Sequence, residues 1–101
     1  MGADTFEDYA AGEKASEAFL AAVKQAQYDY GHRGYTGSIA EKHSFVVVSH
    51  KGLTEAEARS MARELIDDPR VDDKWGPAGA IRVTDAEKKL DGWLFFGWAS
   101  S

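Results

Sequence analysis

Between Tyr28 and Ser38 the chain reads Tyr-Asp-Tyr-Gly-His-Arg-Gly-Tyr-Thr-Gly-Ser, with glycines at 31, 34 and 37. Among these glycines stand the imidazole of His32, the guanidinium of Arg33, the phenol of Tyr35 and the hydroxyls of Thr36 and Ser38. Such groups bind phosphates, carboxylates and flat rings. Backbone N–H groups from Gly34 to Ser38 can form a concave anion nest, with Arg33 as a fork of donors and Tyr35 as a stacking surface. The spacing is not that of a phosphate-binding loop, which ends in Gly-Lys-Ser/Thr and follows a strand, whereas this segment follows a helical pattern. The plainer alternative is a helix C-cap running into a wide turn.

A second stretch, Asp72-Asp73-Lys74-Trp75-Gly76-Pro77, sets an indole and an ammonium in a charged loop. Tryptophan ringed by polar residues is a frequent interface anchor, and equally a lid over a small core. Other chemistries find less support. His32, His43 and His50 are far apart in sequence and lack short ligand spacing, although Glu41 and His43 share a strand face, so no metal site is assigned. Ser38, Ser44, Ser49 and Thr36 have histidines nearby but no nucleophile elbow. Tyr30, His32 and Glu41 form an acid–base group no better than they form a loop anchor. The expectation is a protein without catalysis and without a cofactor.

The composition narrows the classes further. The chain has 101 residues, 44% of them hydrophobic and 29% charged, with a formal charge of −5 and no cysteine. That length suits one domain with one core. An acidic balance argues against non-specific nucleic-acid binding and suits a basic partner, or imitation of a nucleic-acid backbone. The absence of cysteine excludes disulfides and thiolate chemistry and suits a reducing cytoplasm. No apolar run reaches the roughly 20 residues that span a bilayer, and the acidic start lacks a signal peptide's order, so a cytoplasmic location without membrane contact is expected.

The elements that must position these loops follow from periodicity. Residues 1–12 form a partly ordered N-terminal segment in which Thr5 and Asp8 can cap a short helical turn, and residues 13–101 form a single domain. Ala15, Phe19, Ala22, Val23, Ala26 and Tyr30 recur at helical spacing, predicting a helix over 13–30 ended by Gly31. Ile39–Val48 reads as a strand whose run Phe45-Val46-Val47-Val48 asks for cover on both faces. His50-Lys51-Gly52 reads as a turn. Thr54 and Glu57 form a capping box before the stripe Ala58, Met61, Ala62, Leu65, Ile66, and Pro69 marks the end of that second helix. Ala80–Thr84 and Trp93–Trp98 read as short strands separated by a helical turn or a wide hairpin loop. The expected order is α-β-α-β-β: an α+β, two-layer fold with a small mixed sheet of three to four strands and two helices packed on one face. The middle β-α-β unit should pair its strands in parallel and the last two strands should be antiparallel. The aromatic Trp93–Trp98 strand is either a core strand or the edge of a homodimer.

Three segments carry a family resemblance: Gly34-Tyr35-Thr36-Gly37-Ser38-Ile39-Ala40-Glu41-Lys42, Asp73-Lys74-Trp75-Gly76-Pro77-Ala78-Gly79-Ala80-Ile81 and Gly92-Trp93-Leu94-Phe95-Phe96-Gly97-Trp98-Ala99. They resemble small uncharacterised proteins of actinobacterial phages and prophages, and cover about a quarter of the chain. The resemblance implies a viral accessory role and supplies no site residues. Taken together, the expectation is a non-catalytic binder of a host macromolecule, a host protein, contacting it through Arg33, Tyr35, Lys74 and Trp75. The second reading is a module for a nucleotide or other anion, held by His32, Arg33, Tyr35, Thr36 and Ser38. The third is a minor virion or assembly component.

Overall fold

The computed structural model describes residues 2–31 and 36–101. Along the chain they form β1 (Ala3–Ala11), α1 (Ala15–Tyr30), a 3-10 turn (Ile39–Glu41), β2 (Phe45–Leu53), α2 (Glu55–Glu64), β3 (Ala78–Asp85) and β4 (Leu90–Ser100). The α+β class and the mixed sheet hold. The sheet has four strands in the order β1-β4-β3-β2. As expected, β2 pairs β3 in parallel across α2, and β3 pairs β4 antiparallel.

Two expectations about the layers are corrected. Residues 3–11 are a strand, antiparallel to β4 in unbroken register from Ala3↔Ser100 to Ala11↔Gly92, so the observed order is β-α-β-α-β-β. Phe6, Tyr9 and Ala10 lie three and four residues apart, which imitates a helical stripe. The strand buries only Phe6 and Ala10, both on one face.

The second correction follows from the first, because the two helices lie on opposite faces rather than on one. The pairings make β1, β2 and β3 run one way and β4 the other. The chain crosses the sheet from β1 to β2 through α1, then turns back from β2 to β3 through α2. Right-handed crossovers taken in opposite directions place their helices on opposite faces. The result is three layers, with a core on each side of the sheet.

Alternation along the strands decides which core each side chain joins. On the α1 face, Ala18, Phe19, Ala22 and Ala26 pack onto Phe45, Val47, Ala78, Ala80, Trp93 and Phe95. Phe19, Phe45 and Phe95 form a triangle of rings with centroids 5.1, 5.5 and 5.8 Å apart. On the α2 face, Ala58, Ala62 and Val71 pack onto Ile81, Val83, Leu94 and Phe96. Close packing on this side needs Gly79, where an added Cβ would lie 2.4 Å from the Phe96 ring.

The strand Trp93–Trp98 therefore belongs to the core. It lies within β4, bonded to β1 on one side and β3 on the other, and Trp93, Leu94, Phe95 and Phe96 are buried. It has no free edge, which removes it as a dimer interface. Its indoles are also satisfied: Trp93 Nε1 donates to the Glu13 carbonyl and Trp98 Nε1 to the Ile66 carbonyl, both at 2.9 Å.

Local signals explain the ends. The Thr54–Glu57 capping box forms at the start of α2, with Glu57 N to Thr54 Oγ1 at 3.2 Å and Thr54 N to Glu57 Oε1 at 3.0 Å. By contrast, the residues read as the start of a strand at Ile39 form the 3-10 turn, because Ser38 caps it through a 3.2 Å bond from Ala40 N. The residues read as a turn at His50 continue β2, whose register with β3 breaks between Val47 and Leu53.

Candidate functional site

Two loops meet at the end of the sheet where β1, β2 and β3 begin. One runs from Thr36 to Ser44, and its Thr36, Gly37 and Ser38 end the glycine-rich stretch singled out by sequence; the other runs from Asp67 to Pro77 and holds the second polar stretch. Lys42 joins them. It is 4% exposed, and its ammonium donates to the carbonyls of Gly76 at 2.8 Å, Lys74 at 3.1 Å and Asp73 at 3.5 Å. Burial pushes the Lys42 ammonium below the ordinary lysine range, opposed by the nearby carboxylates of Asp73 and Glu41. A cation caged by carbonyls fixes the backbone that it touches.

The second loop is ordered along its length. Val71 and Asp72 donate their N–H groups to the Asp68 carbonyl at 2.9 Å, and Val71 is fully buried as the loop's apolar foot. Trp75 N donates to Asp73 Oδ1 at 2.8 Å, an Asx turn that lifts the indole outward. Trp75 is 64% exposed, with Lys74 Nζ 5.5 Å from its ring centroid. The loop is therefore a rigid mount for an exposed aromatic and a neighbouring cation.

The first loop is held by Glu41. Its carboxylate accepts Gly37 N at 2.7 Å, the Thr36 hydroxyl at 3.1 Å and Ser100 N at 3.2 Å. Thr36 Oγ1 and Ser38 Oγ share a 2.6 Å hydrogen bond. Gly37 also donates to the Ser100 carbonyl at 2.8 Å, and its left-handed φ of 67° suits glycine. This part of the proposed anion nest thus already surrounds an anion from its own chain.

Of the residues singled out by sequence, Lys74 and Trp75 share one exposed turn, while Thr36 and Ser38 turn inward to the Glu41 network. His32, Arg33 and Tyr35 lie outside the described residues. Lys42 was given no role by sequence, Glu41 was weighed for a metal site, an acid–base group or a loop anchor, and Asp73 stood only as part of the charged loop. An isolated lysine or glutamate beside a strand has no sequence pattern that marks it as a clamp; only the apposition of two loops distant in sequence makes it one. Among the described residues no three His, Asp or Glu side chains are grouped to hold a metal ion, and no helix is long and apolar enough to cross a membrane.

The fold and this loop-bearing end define a small three-layer α+β domain with an ordered loop that carries an exposed tryptophan. No protein-family model matches the chain, and no curated protein or solved structure matches it either.

Proposed function

We propose that this is a non-catalytic binding domain, a phage-type accessory protein acting in the host cytoplasm, that captures a host protein through the Lys74–Trp75 loop. The observation that carries this reading is the exposed indole of Trp75 on a backbone clamped by Lys42. An aromatic anchor held in place before binding loses little conformational freedom when a partner covers it. The formal charge of −5 favours a basic partner surface around that anchor. The phage assignment rests on the resemblance of the three segments alone.

The anion-binding alternative gains nothing from the loop, since Glu41 takes the Gly37 N–H that a phosphate would need. A thermal-shift screen against nucleotides should give no stabilisation.

The test is affinity capture from an actinobacterial host lysate with mass spectrometry, comparing the wild-type chain with a Lys74→Ala/Trp75→Ala variant. Loss of a hot-spot anchor weakens binding by about 2 kcal/mol, roughly 30-fold. The captured protein should disappear while the thermal midpoint moves by no more than about 3 °C, as for surface substitutions. Undiminished capture by the variant would refute the assignment.

A further inference from the structure

The outer edge of β1 is built to accept another strand. Reciprocal bonds join Gly2 and Ser101, and Gly12 N donates to the Asp91 carbonyl. These fix the antiparallel alternation, so Asp4, Phe6, Asp8 and Ala10 direct their backbone groups toward β4. The N–H and C=O groups of Ala3, Thr5, Glu7, Tyr9 and Ala11 point away from the sheet. Among the described residues no hydrogen bond uses them. The edge spans nine residues without a bulge, whereas the opposite edge, β2, is broken by register shifts that spoil it as a template.

A hollow lies on each face beside this edge. On the α1 side a cavity of about 290 Å³ is bordered by Phe6, Asp8, Tyr30, Thr36 and Ser38. On the α2 side a smaller one of about 120 Å³ is bordered by Glu7, Ala62, Arg63, Ile66 and Phe96. A strand laid along β1 sends successive side chains to alternate faces, hence into one hollow and then the other. Main-chain bonds for affinity and alternate pockets for selectivity are the two components of peptide recognition by strand addition.

We propose that the β1 edge binds an extended peptide segment with alternating basic and apolar residues, the basic ones toward α1 and the apolar ones toward α2. Charge selects this occupant. β1 carries Asp4, Glu7 and Asp8 and no basic residue. Glu7 is already neutralised by Arg59 at 3.2 Å and Arg63 at 3.4 Å. Asp4 and Asp8, on the other face, have no ion pair among the described residues. Burial raises the Asp8 carboxyl above its ordinary range, opposed by Arg59, with Asp29 and Glu7 adding to the rise, so a cation there relieves an existing cost. A second copy is disfavoured, because antiparallel pairing of two β1 strands through their central residues brings these acids together. The surface is separate from the Trp75 turn, and the inference stands without it.

The probe is an acetylated, amidated heptapeptide of alternating valine and arginine, titrated into the isotope-labelled full chain at low salt. Binding should slow amide exchange and shift resonances at Ala3, Thr5, Glu7, Tyr9 and Ala11, and should weaken several-fold as salt rises. The same peptide with glutamate for arginine, or N-methylated at alternate residues, should not bind. Thr5→Pro removes one outward N–H at a position where an edge strand tolerates proline, and should weaken binding at least tenfold. If that variant misfolds, the N-methylated peptide still tests the hydrogen-bonding edge. Trp75→Ala should leave peptide binding unchanged. Perturbation away from β1, equal binding of the acidic peptide, or a free chain that sediments as a dimer with these amides already protected would each overturn the proposal.

Discussion

Replacing Lys42 by methionine tests whether the ammonium clamp holds the Asp73–Gly76 loop in place. Methionine keeps most of the buried stem and removes the charge and its donors. Two of the three carbonyl contacts, to Gly76 at 2.8 Å and Lys74 at 3.1 Å, have good geometry, while the Asp73 contact at 3.5 Å is at the limit. A hydrogen bond to a charged group contributes about 1.5–3 kcal/mol, so the two good ones contribute about 3–6 kcal/mol before burial is counted. Burying the ammonium offsets much of that, as its lowered proton affinity shows. A net loss of about 2 kcal/mol is expected. With an unfolding entropy of about 2.1 cal/mol/K per residue, that lowers the thermal midpoint by about 10 °C. The assay is a circular-dichroism melt with amide exchange read at Trp75 and Gly76, where protection should fall most. Alkaline pH adds a second readout. Because the folded group holds its proton less tightly than the unfolded one, the unfolded chain binds more protons between the two values. The charge-burial cost is therefore relieved as pH rises through that window, and wild type should gain on Lys42→Met up to the ordinary lysine value. A variant within about 0.5 kcal/mol of wild type, with unchanged protection at Gly76, would refute the clamp.

Three further outcomes follow from the same geometry. Gly37→Ala puts a Cβ 2.8 Å from Asp4 Oδ2 on a residue with φ of 67°. It should destabilise by roughly 1–2 kcal/mol, read by chemical denaturation, and loosen the Glu41 network. Thr54→Ala removes one half of the capping box and should cost about 1 kcal/mol in the same assay without altering capture of a partner. Acid should unfold the chain through the carboxylates around the start of α2. A backbone bond from Thr54 holds Glu57 below its ordinary range, a backbone bond from Glu55 does so for Asp85, and Lys88 does so for Glu55. Their contribution is complete above the unfolded carboxylate values and is lost as pH falls through the lowered folded ones. The wild-type midpoint should therefore drop steeply on acidification, and less steeply in Glu57→Gln.

Legibility in the sequence tracked how local each determinant was. The capping box at Thr54 and the stripe from Ala58 lie within a dozen residues, and α2 starts where they indicated but ends at Glu64, so that Leu65 and Ile66 pack from beyond its end. The alanine-rich stripe from Ala15 likewise marked α1. The Phe45–Val48 run asked for cover on both faces, and both cores supply it. Non-local determinants were invisible. Lys42 becomes a clamp only because a loop some 30 residues later folds over it. Glu41 becomes an internal anion only because Gly37 and the end of β4 converge on it.

β1 shows why one such omission reaches from topology to surface chemistry. Without that strand, α1 belongs to no crossover, and no handedness rule says which face it covers. With the strand in place, the chain must cross the whole sheet and turn back, and the second layer of helix moves to the other side. The same placement makes β4 central and removes its aromatic residues as an interface. The exposed edge passes instead to a strand bearing Asp4, Glu7 and Asp8. Acidic side chains there disfavour self-pairing and leave the edge open to a partner of opposite charge. An edge strand is half solvated by construction, so its apolar residues are few and its pattern weak. The weakness that hides β1 from periodicity has the same physical origin as its availability to a partner.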